Sequence, residues 1–158
     1  MQATPFLIDT NILILLFNGR LAEPLPDGSL GCSLITEMEL LSYPALTSEE
    51  EASIREKLGE LVVYDIDAAT KEAAIRLRRS MRLKLPDAIV AATAVVHGAI
   101  LVTNDKALHA IPGLTCRVND WLTGGGNWFQ PRMGSWHLYA EAVELAATIQ
   151  RNFAELGT

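Results

Sequence analysis

Short apolar runs alternate with helical patterns along most of the chain. The runs are nearly continuous in apolar residues, which is typical of strands that are buried on both faces of a parallel sheet. They predict strands at 5–9, 61–65, 99–103 and 114–118. Helical stretches between such strands predict an α/β fold, a three-layer α/β/α sandwich around a short, mainly parallel sheet.

Four helices are predicted between these strands, at 34–43, 48–59, 68–81 and 88–97. Ser33 and Ser48 are the expected N-caps of the first two helices, and Pro44 and Gly59 are the expected stops. The fourth helix is apolar on nearly every side, which predicts a buried helix. The third helix is amphipathic and carries an apolar face of Ala69, Ala73, Leu77 and Met81.

The character of the chain changes at three consecutive glycines, 124–126. An irregular segment follows at 127–134, and a helical pattern then covers 135–156. The apolar residues of this pattern recur with a period of about 3.6 residues: Leu138, Ala142, Leu145, Ile149 and Leu156. We therefore predict one domain at 1–123 and a C-terminal helical appendage at 124–158.

Composition narrows the class of protein. With 158 residues, 49% hydrophobic and 20% charged, the chain fits one globular domain. Its net charge of −6 argues against nonspecific binding of nucleic acid by bulk charge, although one basic patch could still bind it. Cys32 and Cys116 form no metal or disulfide motif, which favours a reducing cytoplasm. The apolar run at 12–17 is too short to span a membrane, and no secretion signal is evident.

Four acidic residues occupy positions where α/β proteins place their chemistry. Asp9 and Asp105 follow predicted strands, Asp87 opens the buried helix, and Glu39 lies on the helix at 34–43. An acid at such a position, taken alone, is more often a turn residue or a helix cap, so the signal is the convergence of the four. Ligands bind outside the carboxyl ends of parallel strands, and converging carboxylates need a cation to offset their repulsion. Their hard oxygen atoms suit Mg²⁺ or Mn²⁺.

Four sequence segments occur together in an order that resembles a known family. They are Phe-Leu-Ile-Asp-Thr-Asn at 6–11, Ser-Leu-Ile-Thr-Glu-Met-Glu-Leu at 33–40, Leu-Pro-Asp-Ala-Ile-Val-Ala-Ala-Thr-Ala at 85–94, and Leu-Val-Thr-Asn-Asp at 101–105. Residues 5–121 resemble the PIN-domain ribonucleases, and within them the VapC-type toxins of bacterial toxin–antitoxin pairs.

The resemblance implies an endoribonuclease that depends on Mg²⁺ or Mn²⁺, forms a homodimer and is held inactive by a small antitoxin. It implies a catalytic quartet of Asp9, Glu39, Asp87 and Asp105, of which the three aspartates bind metal. It also implies that four polar residues support the site: Thr10, Asn11, Thr103 and Asn104.

The choice between Glu37 and Glu39 depends on the family pattern. On a helix, side chains two residues apart point about 200° away from each other, so only one of the two acids can face the cleft. The family pattern Ile-Thr-x-x-Glu-Leu matches residues 35–40 and selects Glu39. Glu37 is then an ordinary solvated acid.

Six of the thirteen basic residues lie within 71–84. One interpretation is a solvated helix face, which is common for such a run of charge. The other is a surface that follows RNA phosphates, because Lys and Arg position a nucleic-acid backbone without reading its sequence. The location just before Asp87 favours RNA binding by Arg78, Arg79, Arg82 and Lys84.

Two other functions stay open. An α/β phosphotransferase with an acidic pocket has a related topology, but the segment 9–11 lacks the second carboxylate, two positions on, that phosphatases of that kind use. A PIN-like RNA-binding module that has lost its chemistry is also compatible, although all four acids are present. His97, His109 and His137 share no ligand spacing, so each is expected to be structural or on the surface.

The appendage at 124–158 also has two interpretations. It forms either a structural helix that packs on the domain or on a dimer partner, or an inhibitory segment. In the inhibitory case Arg132 pairs with the carboxylates and displaces metal, since a guanidinium fits carboxylate geometry.

Overall fold

The computed structural model describes residues 3–21 and 24–119. The strands in these ranges are β1 (Phe6–Ile8), β2 (Leu30–Ser33), β3 (Val62–Tyr64), β4 (Ile100–Val102) and β5 (Cys116–Arg117). They form one sheet in the order β3-β2-β1-β4-β5, and every neighbouring pair is parallel. Phe6 lies opposite both Leu30 of β2 and Ile100 of β4, so β1 is the central strand.

Helices cover both faces of this sheet, which confirms the predicted α/β/α sandwich. They are α1 (Thr10–Phe17), α2 (Leu34–Leu41), α3 (Ser48–Leu58), α4 (Ala68–Met81), α5 (Leu85–Val96) and α6 (Lys106–His109). Leu7 and Leu101 pack against α5 and α6, whereas Ile8 and Val102 pack against α1, α2 and α3. Because side chains alternate along a strand, neighbouring residues of β1 and β4 serve two separate cores. The outer helix α4 packs on α5.

Strand β2 is absent from the sequence-based prediction because it is short and contains a glycine. That glycine is needed where β2 meets β3. A Cβ atom at Gly31 would lie 2.5 Å from the Tyr64 ring and 2.6 Å from the carbonyl oxygen of Val62. The close approach of the two strands therefore depends on a residue that weakens the strand signal.

The helix boundaries differ from the predictions at several ends. Helix α4 has the predicted bounds. Helix α5 begins at Leu85, ahead of the apolar stretch 88–97, and has Pro86 in its first turn, where a proline is tolerated. Thr47, and not Ser48, caps α3: its hydroxyl accepts a hydrogen bond from the Glu50 N–H, and the Glu50 carboxylate accepts one from the Thr47 N–H. This reciprocal capping box satisfies two backbone donors.

The buried face of α4 is also rotated relative to the prediction. Ala69 is exposed, whereas Thr70, Ala73 and Ala74 are buried. Contact with α5 selects this face, and small side chains allow the two helices to approach closely. Helices α1 and α6 were not predicted, because α1 is apolar with little periodicity and α6 has only four residues.

The predicted boundary at residue 123, the glycine joint and the helix at 135–156 lie outside the described residues. Within 3–21 and 24–119, no helix is long and apolar enough to cross a membrane.

Candidate active site

Three parallel strands deliver acidic residues to one edge of the sheet. Asp9 follows β1 and caps α1, and Asp105 follows β4 and caps α6. Glu39 lies on α2, the helix that follows β2, and Asp87 lies in the first turn of α5. The carboxyl ends of parallel strands meet at the same edge, which is where α/β proteins bind ligands.

Asp9 is the most enclosed of the four acids, with 8% of its surface exposed. Its Oδ1 atom accepts a hydrogen bond of 2.8 Å from the Thr10 N–H. Its Oδ2 atom accepts one of 2.6 Å from the Thr103 hydroxyl. Both carboxylate oxygens are therefore oriented by neutral donors.

Thr103 connects Asp9 to Asp105. Its hydroxyl donates to Asp9 and accepts a hydrogen bond of 3.1 Å from the Asp105 N–H. The Thr103 carbonyl oxygen lies 2.8 Å from Nε2 of His109, so that nitrogen carries the proton and donates. The Asp105 carboxylate accepts from the Ala107 N–H at 2.9 Å, which caps α6. These bonds fix the loop between β4 and α6.

Glu39, and not Glu37, belongs to this group of acids. Its Oε2 atom lies 2.6 Å from the hydroxyl of Thr10, which is 3.1 Å from the hydroxyl of Thr36. Glu37 lies on another side of α2, where its charge acts on the Cys32 thiol in the core. The structure thus places Glu39, the acid that the family pattern selects, beside the other acids and Glu37 apart from them.

The carboxylates act on one another electrostatically. Burial, and then the charges of Asp105 and Asp9, raise the pKa of Asp87 from 3.8 to about 6, although Lys84 opposes the rise. Burial also raises the pKa of Asp9 against its hydrogen bonds from Thr103 and Thr10, and the charge of Asp105 adds to it. Burial is the largest cause of both shifts and the neighbouring carboxylates add to it, so the folded site disfavours the charged forms of these two acids.

Glu39 is subject to the same effects. Burial raises its pKa, the hydrogen bond from Thr10 opposes the rise, and the charges of Asp9 and Asp87 add to it. All four acids therefore take part in one electrostatic cluster, which we call the acidic cluster: Asp9, Glu39, Asp87 and Asp105.

The predicted supporting residues divide into two pairs. Thr10 and Thr103 contact carboxylates of the acidic cluster. Asn11 is exposed and makes no side-chain hydrogen bond within the described ranges. The Asn104 carboxamide binds the backbone of Asn119, donating to its carbonyl oxygen at 2.7 Å and accepting from its N–H at 2.9 Å. Asn104 therefore ties the end of the described chain to the loop that carries Asp105.

Two contributors were not predicted as site residues. Thr36 is fully buried beside Thr10, and His109 holds the Thr103 carbonyl. A signal for Thr36 was present in the sequence: it lies three residues before Glu39 on one helix, a spacing that places both side chains on the same face. His109 had no such signal, because its partner is a backbone atom.

The basic residues lie at the end of α4 and in the turn to α5. Arg78 and Arg79 are in the last turn of α4, Arg82 is its C-cap, and Lys84 is the N-cap of α5. All four are exposed. Arg82 has a φ of 54°, a left-handed conformation that non-glycine residues seldom adopt. Lys84 lies near enough to Asp87 to influence its pKa.

The acidic cluster fits a divalent cation by its donor chemistry. Its ligands would be carboxylate oxygens, and after burial the charges of neighbouring carboxylates help to raise the pKa values of Asp9, Glu39 and Asp87. Over the described part of the chain, no three His, Cys, Asp or Glu side chains are already grouped closely enough to hold one ion.

Comparisons with known proteins agree with this architecture. The PIN domain family model matches residues 6–114. A chain of a toxin–antitoxin complex from Klebsiella pneumoniae is 36% identical, with a TM-score of 0.61; the match covers 70% of this chain and 95% of that one. Comparison with curated proteins finds no match.

Two further solved structures share the fold at lower identity. VapBC2 from Rickettsia felis, bound to a promoter DNA fragment, has a chain 22% identical with a TM-score of 0.62, covering 74% of this chain and 100% of that chain. VapBC-1 from nontypeable Haemophilus influenzae has a chain that is 22% identical, with a TM-score of 0.63; the match covers 75% of this chain and 98% of that one.

A parallel α/β sheet with an acidic cluster at its carboxyl edge defines the class of protein. The chain belongs to the PIN domain family, because the family model covers most of the described residues. The family is one of nucleases.

Proposed function

We propose that this PIN-domain protein is a metal-dependent endoribonuclease and the toxin of a toxin–antitoxin pair. The observation that carries the proposal is the acidic cluster: four carboxylates from separate segments share one edge, and no described residue forms an ion pair with any of them. Such a cluster is costly to the fold unless it binds a cation. The 36% identity to a chain of a toxin–antitoxin complex supports the toxin assignment.

Asp9, Asp87 and Asp105 are the proposed ligands of Mg²⁺ or Mn²⁺, with Glu39 binding the ion directly or through water. The bound ion would supply an acidified water and neutralise charge on the phosphate. The protein supplies orientation: Thr103 and the Thr10 N–H hold Asp9, and the α6 cap holds Asp105. Restricting these carboxylates before the reaction reduces the reorganisation that catalysis requires.

The proposed substrate is RNA, bound along the basic turn. Arg78, Arg79, Arg82 and Lys84 are exposed, and Lys84 lies beside Asp87. A phosphate backbone that follows these side chains would reach the acidic cluster. Basic contacts of this kind position the chain without selecting its sequence.

The proposed partner is a small antitoxin, and the proposed assembly is a homodimer in the cytoplasm. The antitoxin follows from the toxin–antitoxin complexes whose chains match this one. Light scattering of the purified chain alone tests the homodimer. If sequencing of the flanking DNA finds a short neighbouring open reading frame, light scattering of the chain mixed with its product tests the antitoxin.

The roles of Arg132 and of the segment 124–158 require a separate test, since they lie outside the described residues. RNA cleavage by residues 1–123, by the full chain and by Arg132→Ala distinguishes the two interpretations. A large gain on truncation or substitution supports an inhibitory segment. Equal activity in all three excludes inhibition, and insolubility of 1–123 supports a structural helix.

The test of the nuclease itself uses an internally labelled RNA and metal-stripped protein. We expect internal cleavage on addition of Mn²⁺ or Mg²⁺ and none with chelator. A parallel assay with a phosphomonoester substrate tests the phosphotransferase alternative. Binding of RNA without cleavage under any metal condition would favour the silent RNA-binding module instead.

A further inference from the structure

A short chain of hydroxyl groups ends at the Glu39 carboxylate. The Thr10 hydroxyl lies 2.6 Å from Oε2 of Glu39 and 3.1 Å from the hydroxyl of Thr36. Thr36 is fully buried, and within the described ranges its side chain hydrogen-bonds only to Thr10. The chain therefore runs from the interior of the protein to the acidic cluster.

The direction of these hydrogen bonds follows from counting protons. An ionised Glu39 only accepts, and Thr10 has a single hydroxyl proton. That proton serves the shorter bond, to Glu39. The Thr36 hydroxyl must then donate to the oxygen of Thr10, which makes Thr36 the first donor of the chain.

Glu39 depends on this chain for its orientation. It has three rotatable side-chain bonds, and Thr10 supplies the one hydrogen bond to its carboxylate among the described residues. Thr10 is itself a rotor, whose proton could point elsewhere. Thr36 occupies one lone pair of the Thr10 oxygen and so favours the rotor state that donates to Glu39. A β-branched, fully buried side chain on a helix is well suited to this task, because it has little rotational freedom.

We propose that Thr36 is a positioning residue, which fixes the direction of the Glu39 carboxylate through Thr10. This inference rests on the proposed function, because the orientation of Glu39 matters only if the acidic cluster binds metal and cleaves RNA. Thr36 itself touches neither the proposed substrate nor the proposed ion.

The test removes the hydroxyl and keeps the branched shape. Thr36→Val should lower kcat for RNA cleavage about 10-fold, the lower end of the range for residues that orient a metal site. KM for RNA should stay unchanged, because the basic turn is untouched. Mn²⁺ binding measured by calorimetry without RNA should weaken, and Thr36→Ser should restore both properties.

Two controls separate positioning from a general effect on the core. Thr70 is a second fully buried threonine, on α4, and its hydrogen-bond contact is with Asp67, the N-cap of that helix, and not with the acidic cluster. Thr70→Val should leave kcat and Mn²⁺ affinity unchanged. In the Glu39→Gln background, Thr36→Val should cause little further loss, since a residue that acts through Glu39 has nothing left to position.

The outcomes are distinguishable. Wild-type protein that neither binds Mn²⁺ nor cleaves RNA refutes the proposed function and the inference with it. If the wild type is functional and Thr36→Val has the same kcat and Mn²⁺ affinity, only the inference is refuted. Equal impairment of Thr36→Val and Thr36→Ser also refutes only the inference. If Thr36→Val does not fold, Thr36→Ser and Thr36→Ala make the same comparison, because only the serine keeps the hydroxyl.

Discussion

The two charged regions of this domain are built in opposite ways. The acidic cluster is partly buried, and neutral hydroxyl or backbone N–H donors orient three of its carboxylates, those of Asp9, Glu39 and Asp105. The basic residues of α4 are exposed, and the one ion pair among them in the described ranges joins Lys71 to its neighbour Glu72 at 3.9 Å. Among the described residues no ion pair joins the two regions.

The difference shows how a protein can orient acids without cancelling their charge. A neutral donor fixes a carboxylate oxygen and leaves the net charge in place. An arginine would fix the oxygen and also cancel the charge. Burial, and then the charges of Asp105 and Asp9, raise the pKa of Asp87, so negative charge that no neighbour cancels contributes to the shift. A cation from solution can then bind at the cluster, and the solvated arginines stay free for a polyanion.

The largest expected effect comes from removing the charge of Asp9, the most enclosed acid of the acidic cluster. Asp9→Asn should reduce RNA cleavage by about 100-fold or more, as for loss of a metal ligand or its partner. The fold should persist, because one carboxylate fewer relieves repulsion in the metal-free protein. Cleavage rates and thermal melts measure the two effects. Near-normal turnover of Asp9→Asn with Mg²⁺ would show that the acidic cluster is not the active site.

A matched pair on α2 sharpens the comparison within one helix. Glu39→Gln should lower cleavage by about 10-fold to 100-fold, the range for residues at a metal site. Glu37→Gln removes the same charge two residues away and should leave the rate unchanged, because Glu37 lies outside the acidic cluster. Equal losses in the two variants would indicate that net charge, and not position, matters.

The surplus charge also predicts a pH dependence of stability. A folded-state pKa above the unfolded value means that the folded form binds the proton more tightly. For Asp87 these pKa values are 3.8 unfolded and about 6 folded. The free energy of unfolding of the metal-free protein should therefore fall as pH rises from about 4 to 6 and Asp87 loses its proton. At pH 7 without metal, Asp87→Asn should melt higher than wild type, and the difference should disappear near pH 4. An Asp87→Asn protein that melts lower than wild type at pH 7 would contradict the repulsion.

Mn²⁺ should reverse this difference, because binding to the folded state alone raises its stability. The wild-type melting temperature should rise with added Mn²⁺ at pH 7, and that of Asp87→Asn should rise less. An equal rise in both proteins would place the ion elsewhere.

The basic region should affect binding more than chemistry. Neutralising Arg78, Arg79 and Arg82 together should weaken RNA binding and reduce its log–log salt slope by about 2, since each lost phosphate contact contributes about 0.7 on a single strand. Cleavage at saturating RNA should change much less. An unchanged slope would leave this turn as a plain solvated surface.

Arg82→Gly is the smallest and most selective of these changes. Glycine adopts the left-handed conformation of residue 82 without strain, so stability should be equal to or slightly above that of the wild type. RNA binding should still weaken slightly through the lost charge. Arg82→Ala keeps the strain and serves as the control, so a lower melting temperature for Arg82→Gly than for Arg82→Ala would contradict this account.

The sequence was sufficient for the sheet class, for the bounds of α4 and for the location of Asp9 and Asp105, because strand ends carry a local signal. It was insufficient for β2, whose Gly31 is required by packing against Tyr64 and is unfavourable in a strand considered alone. The contact between Asn104 and Asn119 was also unpredictable, since it joins a side chain to a distant backbone. Local patterns specify elements, whereas such contacts exist only in the assembled fold.

The most direct test of the central claim is calorimetric titration of Mn²⁺ into metal-stripped protein, for wild type, Asp9→Asn and Glu37→Gln. We expect saturable binding to wild type and to Glu37→Gln, and its loss or severe weakening in Asp9→Asn. Binding to Asp9→Asn that equals the wild type, or no binding to the wild type, would contradict the claim that the acidic cluster is a cation site.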